Sequence, residues 1–574
     1  MSFQKWLDGP YDLHTKEEIR TLLKHDPNSL HDAFYKSLSF GTGGMRGIMG
    51  VGTNRINIYT IRMATQGFAN YLLGKKRVFI GYDVRHNSRL FAEETARTLA
   101  GNGIEALITE EVCPTPLASF ACRAYGCDGA IMITASHNPP EYNGYKVYGP
   151  DGAQIVPPAD ERIIEEVRKI QSPEQVLLAD LNDPLIRWIG KEIDKAYLKE
   201  LETMKQSHDP KTLSIVYTNL HGTGARLVPK ALVSWGFSLP RLVDAQAPLD
   251  GAFPAARTPN PEEENALALG TELLLEERAD ILLATDPDAD RIGLVVRNGD
   301  QSVRFNGNEI ACICLAHLIQ KGGFPKKSAI LKTIVTTELL RKIAEKASLP
   351  SFDVLTGFKY IAEKIREWEE SGQRHRFLFG AEESHGILTG TFVRDKDAIN
   401  ASCLIADAAN WQKARGRTLV DALYDLYRSF GVHRQLLATI AFSDSSIGME
   451  SMQNLMKKLR KSPPFSIGDK KVIRFEDLLQ GDSLPKADVL LFVLEDATRL
   501  VIRPSGTEPK IKIYLEASNP VQEDLQASIV SCDARLNQTL KSFKHENAIY
   551  SGSGSILPTK TEFKAPSNRT KNRG

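Results

Sequence analysis

The sequence is short of the features that mark exported, membrane-spanning or zinc-stabilised chains. Its 574 residues contain seven cysteines (Cys113, Cys122, Cys127, Cys312, Cys314, Cys403 and Cys532), an odd number with no C-x-x-C spacing. That excludes a disulfide framework and a structural zinc site, and fits a reducing cytoplasm. No stretch approaches 18 uninterrupted apolar residues, and the opening Met1-Ser-Phe-Gln-Lys-Trp-Leu-Asp-Gly-Pro10 has no apolar leader core. The expectation is a soluble, unexported chain with no membrane partner. An excess of one charge is missing too. The 72 Lys+Arg and 71 Asp+Glu leave a net charge of +1, which offers no field for nucleic acid or anionic lipid. Any anion site must be local. Neither G-x-x-x-x-G-K-[ST] nor G-x-G-x-x-G occurs, so nucleotide-dependent kinases and dehydrogenases lose their usual support.

What remains is ordinary globular composition, 42% hydrophobic and 25% charged, in a chain too long for one core. Short apolar runs recur just before glycine-rich or polar clusters, as in Lys76 to Gly81 before Tyr82-Asp-Val-Arg85 and Leu213 to Tyr217 before Thr218 to Gly222. Helical patterns follow them. This is the signature of α/β units whose strands deliver loops at their C-terminal ends, where chemistry usually sits. Junctions are read at Met204–Lys211, Lys321–Lys327 and Arg434–Ser446, giving domains over 1–206, 207–322, 323–440 and 441–550. Residues 551–574, rich in Ser, Gly, Pro, Lys and Arg, read as a disordered tail.

Four loops can carry chemistry. The first, Thr134-Ala-Ser-His-Asn-Pro-Pro140, leaves the apolar run Ala130–Ile133 and places Ser136 beside His137 on a segment whose prolines exclude helix. A rigidly held hydroxyl next to a histidine suits nucleophilic or phosphoryl-carrier chemistry, although alone the loop reads more readily as a turn. It is not a G-x-S-x-G elbow. The second, Ala284-Thr-Asp286-Pro-Asp288-Ala-Asp290-Arg291, sets three carboxylates at alternate positions, on one face of an extended chain. Three converging carboxylates call for a cation, and hard oxygen donors favour Mg²⁺. An EF-hand is excluded, because Arg291 and Arg297 stand where it needs glycine and the bidentate glutamate.

The third, Gly380-Ala-Glu382-Glu383-Ser384-His385-Gly386, offers acids and a hydroxyl to sugar hydroxyls, with a plain turn equally in keeping. Downstream lies Arg394-Asp-Lys396-Asp397, ordinarily a solvated ion pair. The fourth, Arg503-Pro-Ser505-Gly506-Thr507-Glu508-Pro509-Lys510, combines a guanidinium, two hydroxyls and a glycine-containing turn into a phosphate cradle without a Walker lysine. A further glycine-rich segment, Gly41-Thr-Gly-Gly-Met-Arg46-Gly47, presents Arg46.

In this order, the motifs resemble the α-D-phosphohexomutase family: G-T-x-G-x-R-G, T-A-S-H-N-P, D-P-D-x-D-R, G-x-E-E-S-x-G and R-P-S-G-T-E-P. The resemblance spans roughly residues 40 to 515, and Pro140–Lys146, Thr356-Gly-Phe-Lys359 and Arg394–Asp397 are most similar to the bacterial phosphoglucomutase and phosphoglucomutase-2-like branch. It implies a heart-shaped, four-domain α/β enzyme: three related α/β domains and a smaller α+β C-terminal domain. Ser136 takes the phosphoserine position and joins Asp286, Asp288 and Asp290 around Mg²⁺. His137, Lys146 and Lys396 fall close to the transferring phosphate, with Arg46 and Arg291 adding positive charge. Glu382, Ser384 and Lys359 fall on the sugar side; Arg503, Ser505, Gly506 and Thr507 form the distal phosphate site.

The reaction so implied interconverts α-D-glucose 1-phosphate and glucose 6-phosphate through a phosphoserine, with glucose 1,6-bisphosphate as intermediate and activator. Phosphomannomutase or phosphopentomutase activity, a metal-dependent phosphatase, and a catalytically silent sugar-phosphate binder are the alternatives. Ala381, where the family usually has glycine, and His385 both sit in the sugar-reading loop, so the departures bear on sugar identity rather than reaction type.

Overall fold

The computed structural model describes residues 2–38, 44–74, 76–205, 209–372, 374–442, 446–481, 484–505, 509–521 and 524–547. The expected tail and the Gly506 and Thr507 positions of the phosphate cradle lie outside the described residues. The chain parts into two compact units, Met1–Leu294 with Asn306–Leu419, and Val295–Phe305 with Val420–Gly574.

The first unit is built on three sheets. Strands β1 (Gly44–Ile48), β2 (Arg77–Tyr82), β3 (Glu105–Thr109), β4 (Gly129–Ile133), β5 (Tyr142–Tyr148) and β6 (Ile186–Ile189) form a sheet ordered β1-β5-β4-β2-β3-β6. β2, β3, β4 and β6 are parallel, whereas β5 and β1 return antiparallel along one edge. β4 is buried at every residue. A parallel strand covered by helices on both faces must be apolar throughout, which is why Gly129-Ala-Ile-Met-Ile133 shows no alternation.

The second sheet uses β7 (Ile215–Thr218), β8 (Arg241–Leu242), β9 (Ile281–Thr285) and β10 (Ile292–Asn298) in the order β10-β9-β7-β8, with β8 and β9 each parallel to β7. The hairpin arm that ends in β11 (Gln301–Phe305) is counted with the second unit. The third sheet is ordered β13-β12-β14-β15, from β12 (Ser328–Thr333), β13 (Ser351–Val354), β14 (Arg376–Glu382) and β15 (Gly386–Thr389). Two caps fix helix starts in this region. Asn306 and Glu309 form a reciprocal capping box at Gly307–Lys321, and Asp397 accepts from the Ile399 and Asn400 amides to start Ala398–Lys413.

The second unit is an antiparallel sheet, β16-β21-β20-β19-β18-β17, from β16 (Val432–Ala441), β17 (Ser466–Ile467), β18 (Lys470–Asp477), β19 (Leu490–Leu494), β20 (Arg499–Pro504) and β21 (Lys510–Asn519). The helix Leu525–Glu546 packs on β16 and β21. Three α/β layers followed by an α+β module are the four-domain architecture that the motifs implied. No helix among the described residues is long and apolar enough to cross a membrane.

One close approach supports the aspartate loop from below. The turn after β7 lies against Pro287, whose carbonyl accepts from the Thr223 amide at 2.8 Å and the Thr223 hydroxyl at 2.9 Å. A Cβ on Gly222 would sit 2.3 Å from the Pro287 Cα, which is backbone and cannot swing aside. Gly222→Ala is expected to cost about 1–3 kcal/mol, the usual toll of overpacking, read as a lower denaturation midpoint; an unchanged midpoint would show the contact to be slack.

Candidate active site

The loop endings of β4, β9 and β14 converge in the first unit. Ser136 follows β4 by three residues in a left-handed conformation (φ 55°) and is 3% exposed. Its Oγ donates to Asp286 Oδ2 at 2.8 Å and lies 3.2 Å from His137 Nδ1. Asp286, Asp288 and Asp290 follow β9, and one carboxylate oxygen from each lies within 4.8 Å of the others, all three residues being buried. The alternate spacing read from sequence does bring the carboxylates together. It does so through a turn: Ala289 takes a positive φ of 54°, and Asp286 Oδ1 accepts from the Asp290 and Arg291 amides, each at 3.0 Å.

Two lysines neutralise the cluster. Lys146, on β5, donates to Asp288 Oδ2 at 2.7 Å and Asp290 Oδ2 at 3.2 Å. Lys396 lies 3.2 Å from Asp290 Oδ2 and 3.3 Å from Asp395 Oδ1. Burial alone would discharge both ammonium groups, but the surrounding carboxylates outweigh it and hold both lysines more basic than usual. Burial, with Asp288 and Asp290 beside it, raises Asp286 well above the ordinary carboxylate range. Asp288 and Asp290 are held low despite their burial, the first by Lys146 and the second by Lys396 and Lys146. His137 is pushed well below its usual value by burial and by Arg291 and Arg46, which keeps its imidazole neutral.

The arginines frame this pocket. Arg291 pairs with Glu262 and stands 4.0 Å from Asp290 Oδ1. Arg46, on β1, is exposed and donates to Asn138 Oδ1 at 3.0 Å, beside the serine loop. On the third-sheet side, the buried Glu382 accepts from the Gly357 amide at 2.8 Å, two residues before Lys359, itself buried with Nζ 5.0 Å from the Tyr360 ring centre. Ser384 sits half-buried in the turn between β14 and β15. Gly386 ties Glu382 to Lys396, since a Cβ there would meet Lys396 Cδ at 2.2 Å and Glu382 Oε2 at 3.6 Å.

The structure thus assembles Ser136, His137, Lys146, Lys396, Arg291 and the three aspartates through direct contacts, with Arg46 and Glu382 alongside. Arg503 and Ser505 belong to the second unit. There Arg503 is exposed on β20, and the Ser505 amide donates to the Lys510 carbonyl at 2.7 Å, closing the base of their loop.

Two participants escaped the sequence reading. Thr115, buried at the start of the helix Thr115–Ala124, donates through Oγ1 to Asp288 Oδ2 at 2.7 Å and through its amide to the Asp288 carbonyl at 2.8 Å. Its Cys113-Pro-Thr-Pro116 setting signals a helix start, and nothing local ties it to an aspartate far along the chain. Asp395 accepts from Tyr148 Oη at 3.0 Å and Gln154 Nε2 at 2.8 Å while it touches Lys396, which makes it more than the flank of a solvated pair.

The donor set fits a hard divalent cation. Asp288 Oδ1 and Asp290 Oδ1 are buried with no hydrogen-bond partner among the described residues, so two oxygens stand ready to bind metal.

Comparison with known proteins identifies the family. Families described as phosphoglucomutase/phosphomannomutase alpha/beta/alpha domains I, II and III match residues 37–174, 195–299 and 306–430, and the C-terminal domain of the same description matches 458–530. The chain is 36% identical over 519 residues to a phosphoglucomutase of Staphylococcus aureus (strain bovine RF122 / ET3-1), an alignment covering 87% of this chain and 93% of the relative. A phosphoglucomutase of Staphylococcus haemolyticus is 36% identical over 526 residues, with 86% and 95% covered. Among solved structures, the open form of pp63/parafusin from Paramecium shares the fold with a TM-score of 0.67 at 18% identity, covering 91% of this chain and 98% of that one. A putative phosphomannomutase from Thermus thermophilus does so at 0.66 and 22%, covering 88% and 99%.

A divalent cation that binds the folded pocket and not the unfolded chain would, at about 100 times its Kd, stabilise the protein by about 2.7 kcal/mol. The melting temperature should rise when Mg²⁺ or Mn²⁺ is added to the wild type and stay put in Asp288→Asn; an equal rise in both would place the cation elsewhere.

Proposed function

The chain belongs to the phosphoglucomutase/phosphomannomutase family, and on that premise we propose that it interconverts α-D-glucose 1-phosphate and glucose 6-phosphate through a phosphoryl group carried on Ser136. The observation that carries this reading is the 2.8 Å contact between Ser136 Oγ and Asp286, inside a buried pocket of three carboxylates and two lysines. A hydroxyl so placed can hold a phosphate of about −1.5 to −2 charge only where cations surround it.

Asp286, Asp288 and Asp290 would hold Mg²⁺, which would supply charge neutralisation to the phosphoryl group. In the forward step the sugar hydroxyl attacks phosphorus, the bond from phosphorus to Ser136 Oγ breaks, and the hydroxyl proton passes to a side chain of the pocket. His137, Lys146 and Lys396 are the titratable groups beside Ser136 and the aspartates; a lysine takes up the proton only from its neutral form, whereas the His137 imidazole is already neutral. The product is glucose 1,6-bisphosphate; it turns end for end and returns its other phosphate to Ser136. Phosphoryl transfer of this kind asks for alignment and charge stabilisation more than for covalent help. Arg46 and Arg291 add positive charge, Glu382, Ser384 and Lys359 read the sugar, and Arg503, Ser505, Gly506 and Thr507 grip the non-reacting phosphate.

The domains that deliver these loops are proposed at 1–206, 207–322, 323–440 and 441–550. A cytoplasmic setting is supported by the seven cysteines, all buried thiols.

The direct test is isomerisation of α-glucose 1-phosphate with Mg²⁺ and a catalytic amount of glucose 1,6-bisphosphate, with mannose 1-phosphate and ribose 1-phosphate as competitors. Ser136→Ala should lose turnover altogether, and full activity in it would refute the carrier role. Arg503→Ala should raise KM with little change in kcat, by the factor that about 1.5–3 kcal/mol of a charge-assisted contact represents; an unaltered KM would remove Arg503 from the phosphate site.

A further inference from the structure

The loop bearing Ser136 joins β4 to β5, and Pro139 and Pro140 bring no N–H groups of their own. Carbonyls along this stretch are gathered by one buried side chain. Arg85, 3% exposed in the turn after β2, donates from Nη2 to the carbonyl of Ser136 at 2.7 Å and to that of Asn138. From Nη1 it donates to the carbonyls of Pro139 at 2.7 Å and Tyr142 at 2.9 Å. Four acceptors from one seven-residue stretch converge on a single guanidinium.

The guanidinium is itself fixed on every side. Asp83 lies 3.3 Å from its Nε, both side chains being fully buried, and the Arg85 amide donates to Asp83 Oδ1 at 2.9 Å. The ring of Phe253 covers it at 5.0 Å, where the neighbouring Gly251 packs so closely that a Cβ would come within 2.7 Å of the His86 amide nitrogen and the Val84 carbonyl. Asp83 reaches the serine by a second route. Its Oδ2 accepts from Thr134 Oγ1 at 2.6 Å, and Thr134 Oγ1 accepts from the Ser136 amide at 2.8 Å. Ser136 is thus held at its carbonyl by Arg85 and at its amide by Thr134, both of which answer to Asp83.

We propose that Asp83, Arg85 and Thr134 form the positioning device of the phosphoryl carrier: they hold Ser136 at its positive φ, with Oγ aimed at Asp286. The role rests on the mutase reading above. Arginine is required because its planar fork presents donors on separate atoms that can reach carbonyls spread along a loop, whereas a lysine concentrates three donors on one nitrogen. The peptide group is planar and trans, so turning the Ser136 carbonyl onto Arg85 also turns the His137 N–H the other way. None of the three residues is placed on substrate, so they act through Ser136.

The test is the rate at which Ser136 acquires phosphate from glucose 1,6-bisphosphate, followed by intact mass, beside the kcat and KM of the mutase reaction. Arg85→Lys and Thr134→Val should load Ser136 about 100-fold more slowly, the scale of loss from a misplacement near 1 Å, and should lower kcat while KM holds. Thr134→Ser, which restores the hydroxyl, should recover loading to near the wild-type rate. Loading at the wild-type rate in Arg85→Lys, or a Thr134→Ser as slow as Thr134→Val, would overturn the role. Should Arg85→Lys fail to fold, the two Thr134 variants decide the matter by themselves. A wild type that takes up no phosphate refutes the mutase reading itself, and the positioning role with it.

Discussion

Three carboxylates held within 4.8 Å of one another and away from water repel by about 3–4 kcal/mol per pair even at a generous effective dielectric, and the first unit is organised around that repulsion. Lys146 comes to the cluster from β5, between β1 and β4 in the first sheet, Lys396 from the segment after the third, and Arg291 from the aspartate loop itself. Each neutralising group is thus supplied by a different part of the chain, and the pocket exists only when those parts have docked. Buried charges of this density are poor material for stability. Their persistence makes sense where a cation and a phosphoryl group complete the balance.

The same arrangement explains why the serine is so tightly controlled. A phosphoryl carrier must present its oxygen to the metal site in one geometry, and a loop free to sample others would lose alignment and rate. Ser136 is kept at its positive φ by anchors at both its amide and its carbonyl, and by the Asp286 contact at its hydroxyl. The sugar-side loop is pinned in a comparable way. His385, also at positive φ, receives the Ile292 amide at its carbonyl, 3.0 Å away, while its Nδ1 lies 2.9 Å from the Ile292 carbonyl. The loop carrying Glu382 and Ser384 is thereby fastened to the strand that leaves the aspartates.

Much of this was legible in the sequence because the key signals are local. Continuous apolar runs such as Ala130–Ile133 and Ile281–Leu283 mark buried parallel strands, and the loops behind them carry Ser136 and the aspartates. What the sequence could not disclose are contacts made by distant segments. Thr115 meets Asp288 across more than a hundred residues, and Arg85 meets the serine loop only because β2 and β4 lie side by side. The Arg394–Asp397 run shows the limit in reverse: as a string of alternating charges it resembles a solvated face, yet Arg394, Asp395, Lys396 and Asp397 are all buried. Whether a charge is solvated depends on what packs over it, and that is a property of the fold.

The central claim is that Ser136 and the aspartate pocket exchange one phosphoryl group reversibly with a sugar. It is tested most directly by loading the enzyme with radiolabelled phosphate from glucose 1,6-bisphosphate and chasing with unlabelled glucose 1-phosphate in the presence of Mg²⁺. The account predicts that label leaves Ser136 and appears in sugar phosphate. Label that stays on the protein, or departs as inorganic phosphate, would contradict it.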